Sequence, residues 1–126
     1  MPTTVYRPAI VVGDSKTGET QKFDGPYYML RFIAVLQKRG APIPQFGRSA
    51  APFNVVPVDF VVSALLEAAT DPAAAGETLH LVDPEPITAA EVLGLLAREY
   101  AGRGPSYSVP ATAVAESLRL LSLIHI

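Results

Sequence analysis

The sequence predicts an α/β protein organised on a parallel sheet, and three observations carry that expectation. Residues 3–12 are rich in β-branched and aromatic side chains, with apolar groups on both faces, as in a strand covered on two sides. A second β-type run, Thr78-Leu79-His80-Leu81-Val82, comes much later in the chain. Stretches of helical period lie between and after these runs, so strands and helices alternate. The first strand and the run around Leu79 should pair in parallel through a right-handed crossover.

Each element has a local cause. Pro8 interrupts the first strand because proline donates no ladder hydrogen bond, so an irregularity is expected where the strand meets a site or an edge. Residues 13–25 are polar and punctuated by Gly13, Gly18 and Gly25, which reads as a loop. Residues 26–39 follow a helical pattern. Pro26 suits the first turn, and Tyr28, Leu30, Phe32, Ile33, Val35 and Leu36 supply a broad apolar face. Lys38 and Arg39 answer the helix dipole, and Gly40 suits a left-handed stop. Residues 41–52 form a proline-rich connector, and residues 53–56 a short extended segment. Asp59 is expected to N-cap a helix over residues 60–70, which Asp71-Pro72 stops. Thr88-Ala89-Ala90-Glu91 spells a capping box opening a helix that runs to near Tyr100. Residues 102–105 form a loop, and a last helix is expected after Pro110, running through Leu120.

Composition narrows the function classes. The 126 residues are 49% apolar and only 17% charged, against a usual charged share of about 25%. Such a surface is suited to facing other protein. The net charge is −2 and no basic stripe is present, which argues against nucleic acid as a partner. No cysteine occurs, which fits a reducing, cytoplasmic setting and removes thiolate metal sites. His80 and His125 lack metal-like spacing, so no metal is expected. Residues 1–4 do not resemble the start of a signal peptide, and no apolar run is long enough to span a membrane, so no membrane partner is expected.

Several segments then line up together: Val5-Tyr6-Arg7-Pro8, Val11-Val12-Gly13-Asp14-Ser15, Thr17-Gly18 and Asp24-Gly25. They are followed by Asn54-Val55-Val56-Pro57-Val58-Asp59-Phe60-Val61 and Gly76-Glu77-Thr78-Leu79-His80-Leu81-Val82. In order and spacing, over residues 3–119, the chain resembles the carboxyl-terminal part of extended short-chain dehydrogenase/reductases. The branch is that of NAD-dependent epimerase/dehydratases and fatty-acyl or thioester reductases. The resemblance implies an α/β fold that is the C-terminal remnant of a Rossmann-type parallel sheet with substrate-side helices. It implies NADP or NAD as cofactor of the complete parent enzyme, NADP fitting the reductase branch better, and a small-molecule substrate. Carried over by position, Pro8, Ala9, Ile10 and Val11 would border the nicotinamide. Gly13, Asp14, Ser15, Tyr27, Tyr28 and Arg31 would line the substrate pocket.

Two family motifs are missing. None of the nine glycines forms the Gly-x-x-Gly-x-x-Gly turn that holds a pyrophosphate on a helix N-terminus. No Tyr-x-x-x-Lys occurs either: the residues four after Tyr6, Tyr27, Tyr28, Tyr100 and Tyr107 are Ile10, Arg31, Phe32, Gly104 and Ala111. Without that tyrosine, hydride transfer lacks its proton donor, and no catalytic residue is assigned. The expectation is that residues 1–120 are the C-terminal portion of such an enzyme, its last sheet strands plus substrate-binding elements. That portion would be inactive alone and partnered by an amino-terminal Rossmann half. Residues 121–126, Leu-Ser-Leu-Ile-His-Ile, are expected to be a non-native tail translated from a sequencing adapter, or else an ordinary last helical turn. If about four apolar side chains of the first strand lose their cover, roughly 1.5–3 kcal/mol is forgone for each. The total rivals the roughly 5–15 kcal/mol stability of a whole domain. Poor independent folding is therefore expected.

Single residues keep two readings. Asp14-Ser15 is either a ligand-contacting pair or a turn bonding its own backbone. Tyr27, Tyr28 and Arg31 form a pocket wall or a core edge. His80 reads as a half-buried structural histidine. Arg7, in an apolar strand, needs a carboxylate or a ligand if it is buried. Against the reductase stands a different class, a small α/β binding or interaction module without catalysis.

Overall fold

The computed structural model describes residues 1–22, 25–46, 50–110, 112–113, 115–116 and 119–120. In chain order the elements are β1 (Val5–Pro8), β2 (Ile10–Val12), α1 (Tyr27–Lys38), β3 (Pro44–Phe46), β4 (Pro52–Phe53) and β5 (Val55–Pro57). They continue with α2 (Val58–Thr70), a 3-10 turn (Pro72–Ala74), β6 (Thr78–Leu81), β7 (Ile87–Thr88), α3 (Ala89–Ala101) and β8 (Tyr107–Val109). The chain divides into two compact units, residues 1–23 with 54–86 and residues 24–53 with 87–126.

The first unit carries the parallel strands. β1 pairs with β6, Val5 opposite Thr78 and Pro8 opposite Leu81, which bears out the expected parallel pairing. β2 pairs in parallel with β5, Ile10 opposite Val55. The segment Val5–Val12 is thus one extended run that changes partner at Ala9. In a parallel ladder, successive amides point to opposite sides of a strand. The Val5 and Ala9 amides donate to Glu77 and Leu81 carbonyls at 2.9 and 3.0 Å, while the Ile10 amide donates to Asn54 at 3.3 Å. Odd residues therefore face β6 and even residues face β5. Pro8 falls on the β5 side, before β5 begins, where its missing N–H breaks no ladder bond among the described residues. That is the irregularity the proline predicts.

Burial differs from the expected two-sided cover. Val56, Ala74 and Leu81 are buried, but Val5, Ile10 and Val11 are 43%, 41% and 40% exposed. α2 contributes no buried residue, and Val58, Phe60, Val62, Leu65 and Leu66 remain exposed. The apolar composition of this unit predicts a covered strand; the helix and turn it contains do not cover it. Arg7 and His80 stand opposite one another in register and both are exposed. The burial that would have forced a partner on Arg7 is absent, and His80 is not half-buried as expected.

The second unit has the tighter core. α1 and α3 pack through Ile33, Ile43, Leu93 and Ala97, with Met29, Leu36, Leu96 and Ala101 around them. The expected capping box is present. The Thr88 amide donates to Glu91 at 2.6 Å, and the Glu91 amide donates to the Thr88 hydroxyl at 3.2 Å. The Thr88 amide and then its hydroxyl hold the Glu91 carboxyl below its usual range. Gly40, with φ of +65°, ends α1 as its position suggests. Three short strands, β3, β7 and β8, are not among those expected. β3 lies in the proline-rich connector and pairs in parallel with β8, while β7 pairs antiparallel with β4. Residues 112–113, 115–116 and 119–120 are helical, as expected after Pro110. The rest of that segment and residues 121–126 lie outside the described residues.

Candidate functional site

The carboxyl ends of parallel strands are where α/β proteins receive ligands. β6 ends at Leu81, whose carbonyl takes the Ala9 amide. The Val11 amide, next on that side, therefore lies beyond the β6 ladder. Of the four residues assigned to the nicotinamide, Ala9 and Ile10 spend their amides on the sheet. The Ala9 carbonyl and the Val11 amide are the groups this strand carries on that side past the end of β6.

Gly13 follows, and the loop after it is closed by its own hydrogen bonds. The Asp14 amide donates to Glu19 and the Gly18 amide to Asp14, each at 2.9 Å. Asp14 Oδ1 accepts the amides of Lys16 at 2.8 Å and Thr17 at 3.0 Å, a local Asx turn. Asp14 therefore takes its turn reading. Gly13 is required by close approach, since a Cβ there would sit 2.7 Å from the Glu19 carbonyl oxygen. Ser15 faces outward and is exposed.

Two residues outside the predicted set hold this strand end. Asp59 does not cap α2: Pro57 precedes the helix, and Asp59 sits in its first turn. Its carboxylate instead grips Ser15, Oδ1 accepting the amide at 2.9 Å and Oδ2 accepting the hydroxyl at 2.6 Å. The Val58 amide donates to Gly13 at 3.3 Å, so the start of α2 is bonded to the loop twice over. Asn54 clamps the end of β6, its Nδ2 donating to the Asp83 carbonyl at 2.8 Å and its Oδ1 accepting the Asp83 amide at 2.9 Å. Both residues lie in the Asn54-to-Val61 segment singled out in the sequence. A cap reading hid Asp59, because a carboxylate at a helix start ordinarily satisfies its own helix.

The Ser15 hydroxyl, then the Ser15 amide, hold the Asp59 carboxyl below the usual carboxylate range, and the charge of Lys16 adds a smaller pull. The fold thus favours the ionised form. The grip is complete above the unfolded aspartate pKa and is lost as pH falls through the depressed folded value. An NMR titration of the Asp59 carboxyl carbon is expected to give a midpoint below that of an unstructured aspartate, and Ser15→Ala to move it back up. An unchanged midpoint in Ser15→Ala would contradict the grip.

Tyr27, Tyr28 and Arg31 belong to the second unit, at the start of α1. Tyr28 is 59% exposed and Arg31 is exposed, so neither is core. Tyr28 borders an apolar hollow of about 340 Å3 with Met29, Phe32, Gln45, Ala89 and Leu93. A wall reading fits Tyr28 better than a core reading.

Parallel strands whose carboxyl ends open on a glycine loop give the chain an α/β fold of the Rossmann type. The chain belongs to the male sterility protein family of NAD-binding domains (NAD_binding_4), which matches residues 1–65. It is 36% identical over 83 residues to the nonribosomal peptide synthetase FrzA of Cladobotryum sp.. Over an equal length it is 32% identical to the aldehyde reductase lnbA of Aspergillus flavus. Each match covers 66% of this chain and 8% of the relative. The terminal R domain of the myxalamid PKS-NRPS biosynthetic pathway shares the fold, with a TM-score of 0.60 and 28% identity. That likeness covers 84% of this chain and 25% of the other. The chain thus spans a quarter or less of the length of these proteins. No described helix is long and apolar enough to cross a membrane.

Proposed function

We propose that this chain is the nicotinamide-side part of an NAD(P)H-dependent reductase acting on an aldehyde or thioester carbonyl. One observation carries the reading. An inner strand flanked by β5 and β6 delivers the Ala9 carbonyl and Val11 amide past the end of β6, directly before a loop fixed by Asp59. The likeness to an aldehyde reductase and to an R domain supports it. In this reading the cofactor, NADPH or NADH, supplies the hydride. Pro8, Ala9, Ile10 and Val11 orient its carboxamide, and Gly13 and Ser15 border the carbonyl substrate on a loop whose turn Asp14 holds. In the second unit, Tyr27, Tyr28 and Arg31 offer a substrate-side surface. The glycine turn and the Tyr-x-x-x-Lys pair come from an amino-terminal Rossmann half, so the 126 residues alone are inactive.

A fluorescence titration with NADPH tests this reading. The chain alone is expected to show no saturable micromolar binding, and a polypeptide that adds the amino-terminal half is expected to restore it. Saturable micromolar binding by the 126 residues alone would contradict the division of labour and favour a self-sufficient binding module.

A further inference from the structure

The Ser15 hydroxyl has a defined hydrogen-bonding direction. A serine hydroxyl holds one proton and two lone pairs, and free rotation lets it donate or accept. Here its oxygen lies 2.6 Å from Asp59 Oδ2, a short, charge-assisted distance. An ionised carboxylate only accepts, so the Ser15 proton is committed to it. The amide of the same residue is committed to Oδ1 at 2.9 Å, which fixes the residue at two points. The loop backbone around it is closed by the bonds between Asp14 and both Gly18 and Glu19, and a turn of the Ser15 side chain breaks its bond to Oδ2. Its side chain is exposed. What it presents outward is lone pairs and no proton.

We infer that Ser15 is a specificity-determining hydrogen-bond acceptor for an amide N–H of the ligand, and that Asp59 is the positioning residue that makes it an acceptor. The inference rests on the reductase reading above and adds the chemistry of one contact. Two ligands of that reading carry such a donor: the nicotinamide carboxamide, and a thioester whose thiol arm contains an amide. A carboxylate or phosphate oxygen facing Ser15 would meet lone pairs on lone pairs and is disfavoured.

The test is steady-state kinetics of the polypeptide that includes the amino-terminal half. Butyryl-N-acetylcysteamine, a thioester with an amide N–H, is compared with ethyl thiobutyrate, which has none. A neutral hydrogen bond contributes about 1 kcal/mol, so its loss is read as about a fivefold change. Ser15→Ala is expected to lower the preference for the amide-bearing thioester, in kcat/KM, by about fivefold to tenfold. Ser15→Thr, which keeps the hydroxyl, is expected to restore it. Asp59→Asn is the sharper variant. Its carboxamide N–H donates to the Ser15 oxygen, frees the Ser15 proton and turns the residue into a donor. It should lose the preference although Ser15 is intact. If the KM for NADPH rises in both variants and the thioester preference holds, the donor is the cofactor carboxamide and the inference stands with that ligand. If Ser15→Ala and Asp59→Asn leave both the preference and the NADPH KM unchanged, the inference is overturned while the reductase reading survives. A polypeptide that binds no NADPH and reduces neither thioester overturns both. Circular dichroism of each variant guards against loss of fold, and Ser15→Ala alters only an exposed side chain.

Discussion

Ile33→Ala is expected to cost about 2–5 kcal/mol, the range for truncating a buried aliphatic side chain and leaving a cavity. Ile33 is fully buried in the second unit and packs with Ile43, Leu93 and Ala97 where α1 meets α3. Few residues share that load. Small domains are stable by only about 5–15 kcal/mol, so the loss should remove most of the unit's cooperativity. Leu66→Lys is the internal control. Leu66 is 67% exposed, and surface changes of this kind usually stay within about 0.5 kcal/mol. Urea unfolding followed by circular dichroism reads both. A loss below about 1 kcal/mol for Ile33→Ala would show that the α1–α3 contact does not hold the unit.

The 126-residue chain is expected to melt at low temperature over a shallow transition, and to gain a sharp one when the proposed amino-terminal half is supplied. Val5, Ile10 and Val11 on the strand and Phe60, Val62, Leu65 and Leu66 on α2 are all exposed. Full burial of each would be worth roughly 1.5–3 kcal/mol. A partner that covers them binds the folded state alone and stabilises it by mass action, about 2.7 kcal/mol at a hundredfold excess over Kd. Differential scanning calorimetry with and without that half checks it. A steep, high melt of the chain alone would mean that its own elements suffice.

The main elements were legible because each has a local chemical cause. The capping box from Thr88 to Glu91 and the glycine stop at Gly40 follow from short-range rules, and the parallel partnership of the first strand with Thr78–Leu81 follows from the alternation of apolar strands with helices between them. What the sequence hides is what depends on distance. The short strands Pro44–Phe46 and Tyr107–Val109 lie among prolines and glycines, and they exist because they pair with each other. Asp59 reads as a cap from its neighbours. Its actual partner, Ser15, is 44 positions away and is brought close only when β2 and β5 align. Strand burial departs from the expectation for a related reason: an apolar pattern reports what a strand is suited to, not which polypeptide supplies the cover. The Arg-Pro strand end and the glycine loop follow a family pattern, and the geometry adds which of their backbone groups the sheet uses.

The most direct measurement concerns one amide. Even-numbered residues of the Val5–Val12 run point away from β6, and β5 begins only opposite Ile10, so among the described residues no strand pairs on the side that the Tyr6 N–H faces. Hydrogen exchange should show the Ala9 amide protected in the chain alone, and the Tyr6 amide exchanging fast. Tyr6 should become protected when the proposed amino-terminal half is added and pairs a strand along that side. A Tyr6 amide already protected in the 126 residues, and indifferent to the added half, would mean that the strand is no inner member of a larger dinucleotide-binding sheet.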